Sequence, residues 1–276
     1  MTLSDGFDLI DPASYAASGP PHEAWAALRR HSPVHHCTPR DYPPYWAITR
    51  HAGTSQIIDR SHGIGAMRVI IEMDPPEHRS FRKVASPWFT PRAMDRIDAA
   101  VKQSARELVD TLAGRTGEGE CDFARDVATA HPLRILATIL GVPREEEPRI
   151  LRLTNQLFAN EDEELQRPGE TREQAVRELG LELYQLFAGI IEDRRKNPRD
   201  DLASVLANGT VNGEPMGPLE TFGYYLITFT AGHDTTKNAL AGGMHALIQN
   251  PAELAQLRHD PGLVNSTVEE VVRWTT

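Results

Sequence analysis

A short stretch near residue 230 combines residues that can move protons with residues that weaken a helix. The segment "LITFTAGHDTTKNALAG" runs from Leu226 to Gly242, and its apolar flanks predict one long helix. Its middle holds Gly232, Asp234 and Thr235, which are poor residues for a helix interior. A carboxylate beside a hydroxyl can place water and deliver protons. This stretch is therefore the first candidate for a reactive site.

Small side chains recur along this predicted helix at steps of three and four, so they would share one face. They are Thr228, Ala231, Gly232, Thr235, Ala239, Gly242 and Ala246. Such a stripe accepts either a closely packed helix or a broad, flat ligand. The hydroxyl of Thr235 can also bond back to the carbonyl of Ala231, which would bend or open the helix beside that ligand.

A second interpretation of the same residues is a metal site. Helical metal-dependent phosphohydrolases of the HD type carry an adjacent His-Asp pair, here His233 and Asp234, and take further ligands from other helices. His131 and Asp260 are the candidates for those ligands. This scheme gives no role to the two threonines that follow, and both interpretations stay open at this point.

A second constellation is "MDPPEHRSFRK", which ends at Lys83 and predicts the start of a helix. His78 and Arg82 are four residues apart and share a face, where they could hold a dianionic ligand. Arg79 and Lys83 form a second pair, rotated by about 100°, which could face an acidic partner. An ordinary solvated basic face would show the same pattern.

The third constellation is "STVEEVVRW", in which Glu270 and Arg273 lie three residues apart. This spacing is typical of an ion pair on a helix surface. Such pairs are common, so this one indicates little unless it is combined with the other two constellations.

The composition of the chain limits the class of protein that can carry these sites. Apolar residues make up 40% and the net charge is −10, which indicates a globular protein without a nucleic-acid partner. Two cysteines, Cys37 and Cys121, cannot form a disulfide framework. No apolar run approaches the roughly 18 residues of a membrane span, and the N-terminus does not resemble a signal peptide. We expect a cytoplasmic protein without a membrane anchor.

The predicted elements form a single domain over residues 1–276. Residues 1–60 are expected to be partly β, with "PVHHC" and "YWAIT" as two short strands. Residues 74–276 read as a series of helices with 3.6-residue periodicity. The resulting fold class is mainly α with a small β portion.

In this order along the chain, "MDPPEHRSFRKVASPWFTPRAM", "AGHDTT" and "EEVVR" strongly resemble the cytochrome P-450 family of haem-thiolate monooxygenases. The details "DPPEH" and "FTPR" resemble its soluble bacterial members. The resemblance implies a cytochrome P-450-like fold, haem b as cofactor and O2 as co-substrate. It also implies an apolar small-molecule substrate that is steroid, terpenoid or lipid-like. Electrons would come from NAD(P)H through a ferredoxin-type donor.

The resemblance assigns roles to the long helix. Ala231, Gly232, Asp234 and Thr235 match the oxygen-activation motif. Gly232 would let dioxygen and the haem approach the backbone, Thr235 would hold oxygen and water, and Asp234 would supply protons.

The resemblance also assigns the charged pairs. His78 and Arg82 match the pair that binds the haem propionates, a charge-assisted contact. Glu270 and Arg273 match a structural Glu-x-x-Arg pair behind the haem. Arg79 and Lys83 would lie on the surface that meets the redox partner.

The chain departs from the family pattern at the iron ligand. The family's axial cysteine lies in a glycine-rich loop downstream of the Glu-x-x-Arg pair, and the contexts of Cys37 and Cys121 do not match it. We therefore expect an N-terminal portion, truncated before the haem-ligand loop, with no metal ligand of its own and with exposed apolar surface. We expect such a chain to bind haem weakly or not at all and to be prone to aggregation, and a non-catalytic partial homologue is an alternative.

Overall fold

The computed structural model describes residues 6, 9–39, 43–50, 69–114, 119–158 and 172–275. The chain divides into two compact units between residues 64 and 65. The segment from 51 to 68, which looks short for the resembled family, lies outside the described residues, and so does part of the proline-rich turn after residue 39.

The described residues of the N-terminal unit form two helices and one hairpin. Helix α1 spans Pro12–Ser18 and α2 spans His22–His31. Strands β1 (Val34–Cys37) and β2 (Tyr45–Ile48) pair antiparallel. The two predicted strands are confirmed, whereas the two helices before them were not predicted. The start of α1 has a sequence signal, since Asp11 caps it by accepting the N–H groups of Ala13 and Ser14.

The second unit is a bundle of helices with one very short hairpin. Its elements are α3 (Glu77–Ala85), α4 (Pro91–Ala113), a π-helical segment (Phe123–Thr129), α5 (Ala130–Ile139), α6 (Glu147–Phe158), α7 (Arg172–Lys196), α8 (Leu202–Ala207), β3 (Thr210–Val211), β4 (Glu214–Pro215), α9 (Pro218–Gln249), α10 (Pro251–His259) and α11 (Val264–Thr275). Short 3-10 turns lie at Ile70–Glu72, Ser86–Phe89, Arg144–Glu146 and Pro261–Leu263. The mainly α fold class with a small β portion is confirmed.

The π-helical segment is a departure from the single helix that the sequence predicts there. Pro132, on the first turn of α5, has no N–H, and its ring crowds the carbonyl four residues earlier. The chain upstream of it is wound as a π-helix rather than an α-helix. Periodicity alone does not distinguish these two windings.

Helix α9 is the centre of the core. Phe222, Tyr225 and Phe229 of α9 surround Phe187 of α7, with ring centroids 6.3, 5.6 and 6.3 Å away. All four rings are buried. Clusters of aromatic rings at this spacing contribute dispersion and quadrupole energy beyond simple burial, so α9 is firmly positioned over its first half.

The corner between α7 and α8 is fixed by a buried arginine. Arg194 is 5% exposed, and its Nε donates to Asp201 at 2.7 Å. Burial alone would lower the pKa of Arg194, but the hydrogen bonds and charges of Asp201 and Asp193 raise it. Gly141, with φ +67°, lies against the guanidinium, where a side chain would collide. This cluster holds the segment that leads into α9.

No helix in the described part of the chain is long and apolar enough to cross a membrane.

Candidate functional site

The reactive-site candidate lies in the middle of α9, which is helical through all 32 of its residues, Pro218–Gln249. The hydroxyl of Thr235 donates to the carbonyl of Ala231 at 2.7 Å, as predicted. The predicted opening of the helix is not present. The carbonyl oxygen of Ala231 has two lone pairs, and it accepts the hydroxyl of Thr235 through one of them. The other lone pair still accepts a backbone N–H, so the helical hydrogen bonds continue through this turn.

One side of α9 is open at this point. Ala231, Thr235 and Asn238 are exposed, although Thr230 and His233 on the same turns are buried. Ala231, Thr235 and Asn238 lie within about 60° of one another around the helix axis, whereas the exposed Thr236 lies at least about 100° away from each of them. We call Ala231, Thr235 and Asn238 the open strip. It contains small or uncharged side chains on the same turns as the buried Thr230 and His233.

The stripe of small residues serves several neighbours rather than one. A Cβ added at Gly232 would lie 2.9 Å from Cδ2 of Leu136 in α5. A Cβ added at Gly242 would lie 2.6 Å from Cγ2 of Thr275 in α11. Because α9 is helical throughout, the small residues keep their shared face, and different neighbours cover different lengths of it. Close helix packing explains these two glycines, and Gly232 faces α5 rather than the open strip.

Asp234 is paired, which removes the cost of a half-buried carboxylate. Its Oδ1 lies 2.8 Å from Nζ of Lys237, and its Oδ2 accepts from Nδ2 of Asn238 at 3.2 Å. The side chains of Lys237 and Asp234 are 24% and 26% exposed. The sequence argument missed both partners, although their spacing of three and four residues is the helical pairing signal.

The metal-site interpretation fails because the four candidate ligands are engaged separately. Nε2 of His233 lies 3.1 Å from the carbonyl oxygen of Thr129, and Nδ1 of His131 lies 2.9 Å from Oγ of Ser104. Asp260 accepts the N–H of Gly262. Among the described residues no group of three or more His, Cys, Asp or Glu side chains could hold a metal ion. Burial also lowers the pKa of both histidines.

The cations of α3 occupy two different positions around the helix. Phe81 is buried and marks the core side. His78 lies about 60° from it and is half-buried, and Arg82 lies about 100° from it and is exposed. Arg79 and Lys83 are each two residues from Phe81, so they lie about 200° around the helix, and both are exposed. The structure thus separates the two predicted pairs.

The edge that carries His78 and Arg82 borders the face of α9 that carries the open strip. The hydroxyl of Tyr224 in α9 donates to the carbonyl of Phe81 at 3.3 Å. Burial raises the pKa of Tyr224, and a backbone hydrogen bond and then the charge of Arg82 partly offset this rise. Tyr224 precedes Ala231 by two helical turns, roughly 10 Å, on the same face.

Beyond the open strip, a groove of about 660 Å³ separates α9 from α11. Asp234 and Thr235 line one end of it. Val268 and Val272 of α11 line the other side and are 54% and 49% exposed. The expectation of exposed apolar surface is met here.

Glu270 and Arg273 form the predicted ion pair. Nε and Nη2 of the arginine donate to the two carboxylate oxygens at 2.7 and 2.6 Å. The hydrogen bonds and charge of Arg273 lower the pKa of Glu270. Both side chains are more than half exposed, so the pair contributes little to the stability of the bundle.

The two cysteines lie in different surroundings. Cys37 is fully buried in the N-terminal unit at the end of β1. Cys121 is exposed, just before the π-helical segment. Both are free thiols.

Comparison with known proteins identifies the family. A family model described as cytochrome P450 matches residues 49–264. Cytochrome P450-terp of a Pseudomonas species is 32% identical over 97% of this chain and 69% of its own length. The steroid C26-monooxygenase of Mycolicibacterium smegmatis is 28% identical over 99% of this chain and 68% of its own length. The crystal structure of CYP108D1 from Novosphingobium aromaticivorans superimposes with a TM-score of 0.79 at 33% identity, covering 98% of this chain and 70% of that one. Because the family model matches well over half of the sequence and the motifs occupy a matching fold, the chain belongs to the cytochrome P450 family.

Proposed function

We propose that the protein hydroxylates an apolar small molecule, of steroid, terpenoid or lipid type, in the cytoplasm. Members of this family bind haem b, and the relatives are monooxygenases. The name of one relative, a steroid C26-monooxygenase, supports the substrate class. In the proposed reaction one atom of O2 enters a C–H bond, and the other leaves as water. Two electrons come from NAD(P)H through a ferredoxin-type donor.

The observation that carries the proposal is the open strip of α9. A flat, largely apolar group needs a surface without bulky side chains, and Ala231 and Thr235 provide one in the middle of a core helix. A group with two carboxylates also needs cations at its edge. His78 and Arg82 lie on the side of α3 that borders the same face of α9. The residues present therefore fit haem b, with Ala231 and Thr235 against the ring and the two cations on the propionates.

When bound, haem would supply the iron chemistry that activates dioxygen. The protein's own residues supply protons and orientation. The hydroxyl of Thr235 donates its proton to the carbonyl of Ala231, so its oxygen can accept a hydrogen bond from a water on the open strip and hold that water in place. Asp234 is held between Lys237 and Asn238, and we propose that it brings protons to Thr235 by exchanging these partners. Gly232 has a packing role instead, against Leu136.

We further propose that neither cysteine in this chain is the iron ligand. Cys37 is enclosed within the N-terminal hairpin region, where its Sγ lies 3.8 Å from the carbonyl of His35. Cys121 is exposed on the approach to the π-helical segment. Replacing both with serine should leave the haem spectrum unchanged, and a changed Soret band in either variant would reassign the ligand.

Haemin titration tests the proposed surface directly. Ala231→Phe places a ring on the open strip and should abolish saturable haemin binding, monitored through the Soret band. His245→Phe is the matched control, because His245 is an exposed residue of α9 several turns away. Equal binding by both variants and the unchanged chain would overturn the assignment.

The donor surface has its own test. Arg79 and Lys83 point away from the core, and neither forms an ion pair with any part of the chain that the structure describes. Reversing both charges should slow electron transfer from an acidic ferredoxin to the haem-loaded protein, and the difference should shrink as salt is added. An unchanged rate at low salt would remove these residues from the docking surface.

A further inference from the structure

His233 is fully buried on α9, directly before the two residues assigned to proton delivery. Its Nε2 lies 3.1 Å from the carbonyl oxygen of Thr129, which is 104 residues earlier in the sequence. The rings of His233 and Phe229 stack with centroids 6.0 Å apart. The imidazole thus bridges α9 to the end of the π-helical segment.

The geometry fixes the tautomer of this imidazole. A carbonyl oxygen only accepts hydrogen bonds, so Nε2 must carry the proton. Nδ1 is buried and has no hydrogen-bond partner in the described part of the chain. A proton on Nδ1 would place a charge in the core without an acceptor, so the ring stays neutral. His233 is therefore a one-sided donor aimed at Thr129.

The partner carbonyl lies where the local winding makes it accessible. Thr129 is the last residue of the π-helical segment, three residues before Pro132. The wider winding of such a segment turns its carbonyls away from the regular ladder, where side-chain donors reach them. The hydrogen bond from His233 satisfies one of them inside the core.

A second contact restrains the same turn of α9. Gly232 lies against Leu136 of α5, at a distance that leaves no room for a Cβ. The close approach sets the separation of α9 from α5, and the His233 hydrogen bond sets the rotation of α9 about its axis. A rotation by one residue, about 100°, would carry Thr235 off the open strip.

We propose that His233 is a positioning residue, whose neutral Nε2–H donor locks α9 to Thr129 and so fixes the direction in which Asp234 and Thr235 point. Whether the orientation of Asp234 and Thr235 matters for oxygen activation depends on the proposed function. The lock itself is a property of the polypeptide and is measurable without haem.

Amide hydrogen exchange of the chain measures the lock. His233→Phe keeps a buried ring but removes the donor, and amides 231–237 should exchange about tenfold faster relative to peptide 183–191 of α7, which reports global opening. His233→Gln, whose side-chain amide can place a donor near the Nε2 position, should restore slow exchange. Thr230→Val is the matched control. It removes another buried polar group of α9, one that bonds only within its own helix, so it should not alter the ratio between the two peptides.

A second measurement needs no substitution. Nitrogen-15 spectra of labelled histidine at pH 7 should include a neutral Nε2–H signal that is absent from the spectrum of His233→Gln, which assigns it to His233. An Nδ1–H or charged ring at His233 would overturn the proposal. So would equal acceleration of both peptides in His233→Phe, or the same local effect from Thr230→Val. If the exchange and nitrogen-15 results are as expected but the chain shows no haemin binding, only the proposed function is in question, and the positioning role of His233 stands.

Discussion

The close approach of α9 to α5 at Gly232 gives the sharpest stability prediction. In Gly232→Ala the new methyl would lie 2.9 Å from Cδ2 and 3.3 Å from Cδ1 of Leu136. Leu136 is 9% exposed and belongs to the core, so it cannot swing outward. Overpacking of this kind costs about 1–3 kcal/mol, whereas alanine gains about 1 kcal/mol of helix propensity over glycine. The net change should range from neutral to about 2 kcal/mol destabilising.

Gly189→Ala is the matched control, because Gly189 is in α7 and a Cβ there meets nothing within 4 Å. It should stabilise the protein by up to about 1 kcal/mol. Urea unfolding, followed by far-ultraviolet circular dichroism, gives the free energy of unfolding of both variants. Gly232→Ala is also measured in a protein that already carries Leu136→Ala. The penalty of Gly232→Ala should vanish when Leu136 is shortened, a coupling of about 1–3 kcal/mol. If Gly232→Ala stabilises as much as Gly189→Ala, the packing role assigned to Gly232 is refuted.

Three further predictions concern charges. Arg194→Met should destabilise the protein by about 3 kcal/mol in urea unfolding, because Asp201 loses its buried partner; a loss under 1 kcal/mol would contradict this. Burial lowers the pKa of His131 and His233, so the folded protein keeps them neutral while the unfolded chain takes up protons below about pH 6.5. The urea concentration at the unfolding midpoint should therefore be lower at pH 5.5 than at pH 7.5. This difference should be smaller when His131 and His233 are both replaced by glutamine, and an equal difference in that variant would refute the assignment to these two histidines. Glu270→Gln should leave the urea midpoint unchanged, since the pair is exposed, and a clear decrease would indicate a structural role within this chain.

Much of the fold follows from local sequence patterns. Thr90, Pro91 and Gly114 delimit α4 in the sequence, and the helix spans Pro91–Ala113 with Gly114 at φ +58°. The hairpin of β3 and β4 was predicted only as a turn-rich loop. Its Asn212-Gly213 pair, with φ values of 55° and 89°, is the signal for a two-residue hairpin turn.

The site was only partly predictable, because periodicity shows which residues share a face but not which neighbour covers it. Helical spacing predicts different sides of α3 for the pair His78 and Arg82 and the pair Arg79 and Lys83, and the helix is present over Glu77–Ala85. It could not show that Gly232 packs on Leu136, since that contact joins segments almost 100 residues apart. The winding of the π-helical segment and its hydrogen bond to His233 depend on tertiary contacts in the same way.

The central claim is that α3 holds the propionates of haem with one of its two cationic pairs. Haemin titration of the chain tests it with two double variants that remove comparable cationic groups from the same helix, His78→Ala with Arg82→Ala and Arg79→Ala with Lys83→Ala. Loss of two charge-assisted hydrogen bonds should weaken the saturable haemin binding of the chain, which we expect to be weak already, by about tenfold or more. The second variant should bind haemin as the unchanged chain does. Equal weakening of haemin binding by both double variants, or a weakening confined to the Arg79 and Lys83 variant, would contradict the account.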